Sequence, residues 1–130
     1  AELFGVSSTG PGLKGESQAM SESLQDVNPA VLQALQELMQ DDYALLLDTF
    51  LGDADLRMRQ LREALSAGDM NAFRQAAHSF KGSCGNMGAA ALEQACLEAE
   101  AAGLAEDRAA AAKALTVIEQ AFSRAQPLLR

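Results

Sequence analysis

The 130-residue chain has no tryptophan, one tyrosine, one histidine, two cysteines and three prolines. Each shortage excludes something. Aromatic residues make up 5% of the chain while alanine and leucine dominate, a mix that favours helix over sheet. Ten basic residues stand against eighteen acidic ones, and the net charge of −8 provides no basic face for a nucleic-acid backbone. The acidity reads as solubility. No apolar run approaches the ~20 residues that span a bilayer, so no membrane partner is expected. Cys84 and Cys96 allow one disulfide at most. Both fall on apolar helical stripes, where cysteine acts as a small hydrophobe, and a reduced, cytoplasmic protein is expected. Residues 1–19 lack the basic start and apolar centre of a signal peptide. Rich in glycine and serine and followed by Met20, they read as a flexible tag or linker, leaving residues 20–130 as the domain.

What is present is helical punctuation. Asn28-Pro29 pairs an N-cap with proline at the first helical position, and Val31, Leu35 and Leu38 form a stripe on a short helix ending near Met39. Asp41 is placed to cap a long second helix, along which Tyr43, Leu47, Phe50, Ala54, Met58, Leu61 and Leu65 recur at three- and four-residue steps. Gly68 ends it and Asp69 caps a third, which stops near Gly88. A fourth carries Leu92, Cys96 and Ala99 to an end at Gly103. A fifth, from about Glu106, carries Ala111, Leu115, Ile118, Phe122 and Ala125 up to Pro127. No strand alternation or hairpin dipeptide interrupts this pattern. Short connections make neighbouring helices antiparallel. The fold expected is all-α, an antiparallel four-helix bundle with a short additional N-terminal helix.

The third helix contains the single histidine in the stretch AAHSFKGSCGNMG, residues 76–88. Its apolar stripe is Phe73, Ala76, Phe80, Cys84 and Met87. At ~100° per residue, His78 lies about 160° from Phe80, on the face turned to water. Asn71, Arg74, Gln75, Lys81, Gly82 and Gly85 share that face, within about 60° of the histidine. A mid-helix glycine costs about 1 kcal/mol relative to alanine. On the histidine's face a missing side chain exposes the imidazole and admits another protein's backbone. Fraying before Gly88 also accounts for Gly85, and less well for Gly82. Lys81, one turn from His78, disfavours a second positive charge on the ring and can compensate a phosphoryl group attached there. It equally fits a solvated surface lysine.

Other chemistries fare worse. One histidine and two inward-facing cysteines do not close a zinc site, so no metal is expected. Cys84 lies about 120° around the helix from His78, too far to pair with it as a nucleophile. SFKGS lacks the leading glycines and preceding strand of a phosphate-binding loop. The acidic pairs Asp41-Asp42 and Asp53/Asp55 read as helix caps and solvated surface.

HSFKGSCGNMG resembles the His-x-x-Lys-Gly-x-x-x-x-x-Gly pattern of histidine-containing phosphotransfer domains of bacterial phosphorelays. The following AAALEQACLEAE is similar to the start of their next helix, and the likeness extends over residues 24–126. The resemblance implies a phosphocarrier, not an enzyme with its own turnover. His78 would accept a phosphoryl group from an aspartyl phosphate on one receiver domain and pass it to an aspartate on another. It implies charge compensation by Lys81 and clearance from Gly82. Gly88 would form the interhelical turn, and a docking face would include Arg74, Gln75, Gly82 and Gly85. The partners implied are receiver domains of hybrid sensor kinases and response regulators, meeting a monomer. No intrinsic cofactor is implied, since magnesium comes with the receiver. Two alternatives stand beside this reading. One is a non-catalytic adaptor whose glycine face binds a partner helix. The other is a histidine module cut from a chemotaxis-type kinase.

Overall fold

The computed structural model describes residues 25–130; the reading of residues 1–19 as a tag or linker lies outside them. Five α-helices follow one another: α1 (Pro29–Met39), α2 (Tyr43–Ala67), α3 (Met70–Asn86), α4 (Ala90–Leu104) and α5 (Arg108–Leu129). A 3₁₀ turn, Gln40–Asp42, joins α1 to α2, and the described residues contain no strand. Helices α2 to α5 form the bundle. Each packs on its chain neighbours and α5 closes back on α2, with the most extensive contact between α3 and α4.

Local chemistry accounts for most boundaries. The Asn28 side chain accepts from the backbone N–H groups of Ala30 and Val31. Asp69 caps α3 by accepting from Ala72 N at 3.0 Å, and Asp107 does the same for α5 from Ala110 N at 3.0 Å. Each such cap contributes about 1 kcal/mol. Gly68 closes α2 in the left-handed region at φ 72°, where a Cβ is penalised.

Four expectations are corrected. Asp41 caps nothing: it lies in the 3₁₀ turn, and the residue before α2 is Asp42, whose side chain makes no capping bond. Leu38 is exposed, because α1 leans on the core through Leu32, Leu35 and Met39. Gly103 does not end α4. It is buried inside the helix, and the left-handed residue beyond the end is Glu106 at φ 58°. Pro127 does not end α5, which continues to Leu129. Leu129 is fully buried, and its carbonyl accepts from the Tyr43 hydroxyl at 2.7 Å, so tertiary contact holds the last turn.

The core is apolar throughout the described residues, with no buried polar or charged side chain. Phe73, Phe80, Leu61, Leu92 and Ile118 are its largest fully buried members, and Phe50 and Phe80 meet with ring centroids 6.5 Å apart. Cys84 and Cys96 are free and buried, and burial pushes the Cys84 thiol far above the usual range. The α3–α4 turn is clamped from the N-terminal side. Asn28 N donates to Gly88 O at 2.7 Å and Ala91 N to Gln25 O at 3.0 Å. Gly88 itself has φ 73°, and a Cβ there would stand 2.8 Å from Val31.

Candidate functional site

Helix α3 turns Phe73, Ala77, Phe80 and Cys84 into the core, and this rotation sets the opposite face in water. His78 is on that face, with 64% of its side chain exposed. Its Nδ1 lies 2.8 Å from Glu100 Oε2 on α4. The other oxygen of the same carboxylate, Oε1, accepts from Lys81 Nζ at 2.7 Å. Glu100 therefore bridges the imidazole and the ammonium, its side chain only 20% exposed. The Lys81 hydrogen bond, aided by that of His78 and opposed by partial burial, holds the Glu100 carboxyl below its usual range.

Carboxylate oxygens only accept, so Nδ1 carries the proton, as the hydrogen-bond network assigns it. The neutral ring is then fixed as the tautomer whose lone pair is on Nε2, which has no partner among the described residues. The arrangement presents one nucleophilic nitrogen to solvent, with a carboxylate behind the ring and a cation beside it. Lys81 is not a free surface cation, because Glu100 engages it directly.

Glu100 was not anticipated, although the sequence holds a signal for it. In an antiparallel pair, residues equally distant from the turn lie level with one another. His78 and Glu100 are each eleven residues from Ala89, just past the Gly88 turn. Gly85 and Glu93, each four residues from it, also meet.

The glycines on this face divide by surroundings. A Cβ on Gly82 would meet nothing within 4 Å. At Gly85 it would stand 2.9 Å from Glu93 Oε2, so the space expected to be open is occupied from within the chain. Arg74 donates to Asn71 Oδ1 at 3.1 Å, and its backbone packs on Gly103. Gln75 is exposed and borders a groove between α2 and α3. Among the described residues, no group of three or more His, Cys, Asp or Glu side chains could hold a metal ion. None of their helices is long and apolar enough to cross a membrane.

Comparison with known proteins points to one family. Residues 45–127 match the family described as the Hpt domain. Histidine-containing phosphotransfer protein B (HptB) from Pseudomonas aeruginosa PAO1 is similar in structure, with TM-score 0.78 and 40% identity, over 82% of this chain and 93% of that one. Two plant structures share the fold at lower identity. The maize histidine-containing phosphotransfer protein ZmHP2 has TM-score 0.72 and 22% identity, covering 88% of this chain and 90% of its own. A rice protein described as a putative histidine-containing phosphotransfer protein has TM-score 0.73 and 19% identity, covering 92% of each chain. No curated protein sequence matches. With a family match over more than half its length and a neighbour at this identity, the chain belongs to the Hpt domain family and is a histidine phosphocarrier of phosphorelays.

Proposed function

We propose that His78 is the phosphorylated residue and that Nε2 is its attacking atom. The supporting observation is the contact of Nδ1 with Glu100, which leaves Nε2 as the exposed lone pair. The Nε2 lone pair attacks the phosphorus of an aspartyl phosphate. The Nε2–P bond forms, the bond between phosphorus and the aspartyl oxygen breaks, and the receiver's carboxylate departs. The ring becomes an imidazolium that keeps its Nδ1 proton, and Glu100, already ionised, stabilises it. Transfer to a second receiver is the reverse step. Such chemistry depends mainly on in-line positioning and charge compensation, here supplied by a ring anchored across two packed helices.

Lys81 has a second role in this reading. Three residues from His78 on one helix, its ammonium can pivot from Glu100 toward the phosphoryl oxygens. Gly82 leaves clearance beside the ring, Arg74 and Gln75 border the docking face, Gly85 makes room for Glu93, and Gly88 forms the turn. The chain is a monomeric, cytoplasmic reactant contained in residues 20–130. It has no turnover of its own and no intrinsic cofactor, and magnesium arrives with the receivers of hybrid kinases and response regulators.

The test is direct, since His78 is the chain's only histidine. Label from a phosphorylated receiver should be acid-labile and base-stable, and absent from His78→Gln. Stable labelling of that variant would remove His78 from the mechanism.

A further inference from the structure

A groove of about 490 Å³ opens between α2 and α3 beside His78, where Gln75 and Ser79 form its edge. Its walls carry Arg57 and Gln60, with Glu63 and Asp69 toward the α2–α3 turn. Arg57 Nη1 donates to Gln60 Oε1 at 3.1 Å. Its Nε lies 3.3 Å from Asp53 Oδ1, while Asp53 Oδ2 accepts from Ser83 Oγ at 3.2 Å. The approach of Nε to Asp53 is a charge contact without hydrogen-bond alignment. Arg57 Nε is the one buried side-chain nitrogen or oxygen left without a hydrogen bond among the described residues.

A guanidinium has five donors, and here one makes an aligned hydrogen bond to another side chain. Nε is buried against Asp53 and out of a partner's reach, whereas Nη2 has no bond among the described residues and is not among the buried atoms, so it stays open to water and to an incoming acceptor. We propose that Arg57 is a partner-recognition residue whose guanidinium receives a carboxylate from the rim of the incoming receiver domain, which covers the α2–α3 groove as it seats on His78. This rests on the carrier reading given above. The planar fork matches the two oxygens of a carboxylate. Asp53 and Gln60 already brace it, so little side-chain freedom is lost on docking. The groove's own acids, Glu63 and Asp69, lie toward the α2–α3 turn, whereas on the opposite flank Glu100 stands at the ring itself. Arg57 touches no reacting atom in this scheme. It acts on association, and its loss should raise the half-saturation concentration without changing the rate at saturation.

The experiment uses the full chain and a panel of isolated receiver domains charged on aspartate with radiolabelled acetyl phosphate, taking the fastest donor. Arg57→Met should raise that donor's half-saturation concentration about tenfold and leave the saturating rate within about twofold. Arg57→Lys keeps the charge without the fork and should raise half-saturation at least threefold. It supplies the reading if circular dichroism shows the Met variant unfolded. Replacing each exposed Asp or Glu of the receiver by its amide should identify one carboxylate whose effect is lost in the Arg57 variant, a coupling of at least fivefold. The proposal is overturned by half-saturation within twofold of wild type, by a loss confined to the saturating rate, or by strictly additive effects with every receiver carboxylate. If no receiver labels the wild-type chain, the carrier reading fails first and takes this proposal with it.

Discussion

At the scale of single residues, orientation was more legible than pairing. The 3.6-residue period places His78 opposite the buried Phe80, and its side chain is exposed as that period requires. The same helix says nothing about Glu100, which arrives from α4. The signal for it is the equal spacing of the two residues from the α3–α4 turn, which no pattern within α3 alone shows. Glu100 is expected to hold the Nδ1–H tautomer. In Glu100→Ala, ¹⁵N chemical shifts of the neutral ring should move toward a mixture of tautomers, and charging by a receiver should slow about tenfold, equal to about 1.4 kcal/mol of barrier. In Lys81→Ala the tautomer signal should persist while transfer slows. Unchanged shifts in Glu100→Ala would reduce the carboxylate to a structural partner of Lys81. Gly82 separates stability from docking. With open space around its Cβ position, Gly82→Ala should stabilise the free domain by about 0.4–1 kcal/mol in thermal denaturation. Gly82→Gln should also fold, yet its side chain would stand one turn from His78 and slow receiver transfer about tenfold. Labelling by phosphoramidate, a small donor, should be affected far less. Equal losses with both donors would tie the glycine to the histidine's own geometry.

At the scale of helices, polar caps were legible and tertiary overrides were not. Asn28, Asp69 and Gly68 act where their chemistry places them, because each satisfies backbone groups within a few residues. Gly103 and Pro127 mislead because both are read as stops by local preference, whereas distant packing decides them. Leu129 anchors the end of α5 through Tyr43. Gly103 lies against the α3 backbone, where a Cβ would approach Arg74 Cβ at 2.9 Å and its Cα and N at 3.0 Å. That contact allows the close approach of α3 and α4 on which the His78–Glu100 hydrogen bond depends. Gly103→Ala therefore pits a helix-propensity gain of about 1 kcal/mol against overpacking, which typically costs 1–3 kcal/mol. The obstruction is backbone rather than a flexible side-chain end, so overpacking should prevail. Urea denaturation should show a net loss of stability, opposite in sign to Gly82→Ala. A gain would mean that α3 and α4 separate at little cost.

At the scale of the whole molecule, the proposed role of His78 has one histidine on one face serving two partners. The bundle's other faces offer no second phosphoryl acceptor of this kind, since the chain holds a single histidine. In that proposal donor and acceptor receivers each bring an aspartate into line with the same Nε2, and an in-line transition state leaves room for one at a time. The proposal therefore requires mutually exclusive binding, with exchange of partners rather than a ternary complex. Mass action sets the consequence. An unphosphorylated acceptor at a concentration equal to its own dissociation constant should raise the donor's half-saturation concentration about twofold and leave the saturating rate unchanged. Rapid-quench measurement of His78 charging across donor concentrations reads both quantities. The acceptor should carry its phosphorylatable aspartate replaced by alanine, so that it binds without draining label. A lowered saturating rate at constant half-saturation, or a sedimenting complex of all three chains, would place the two receivers on separate faces and remove exclusive docking from the account.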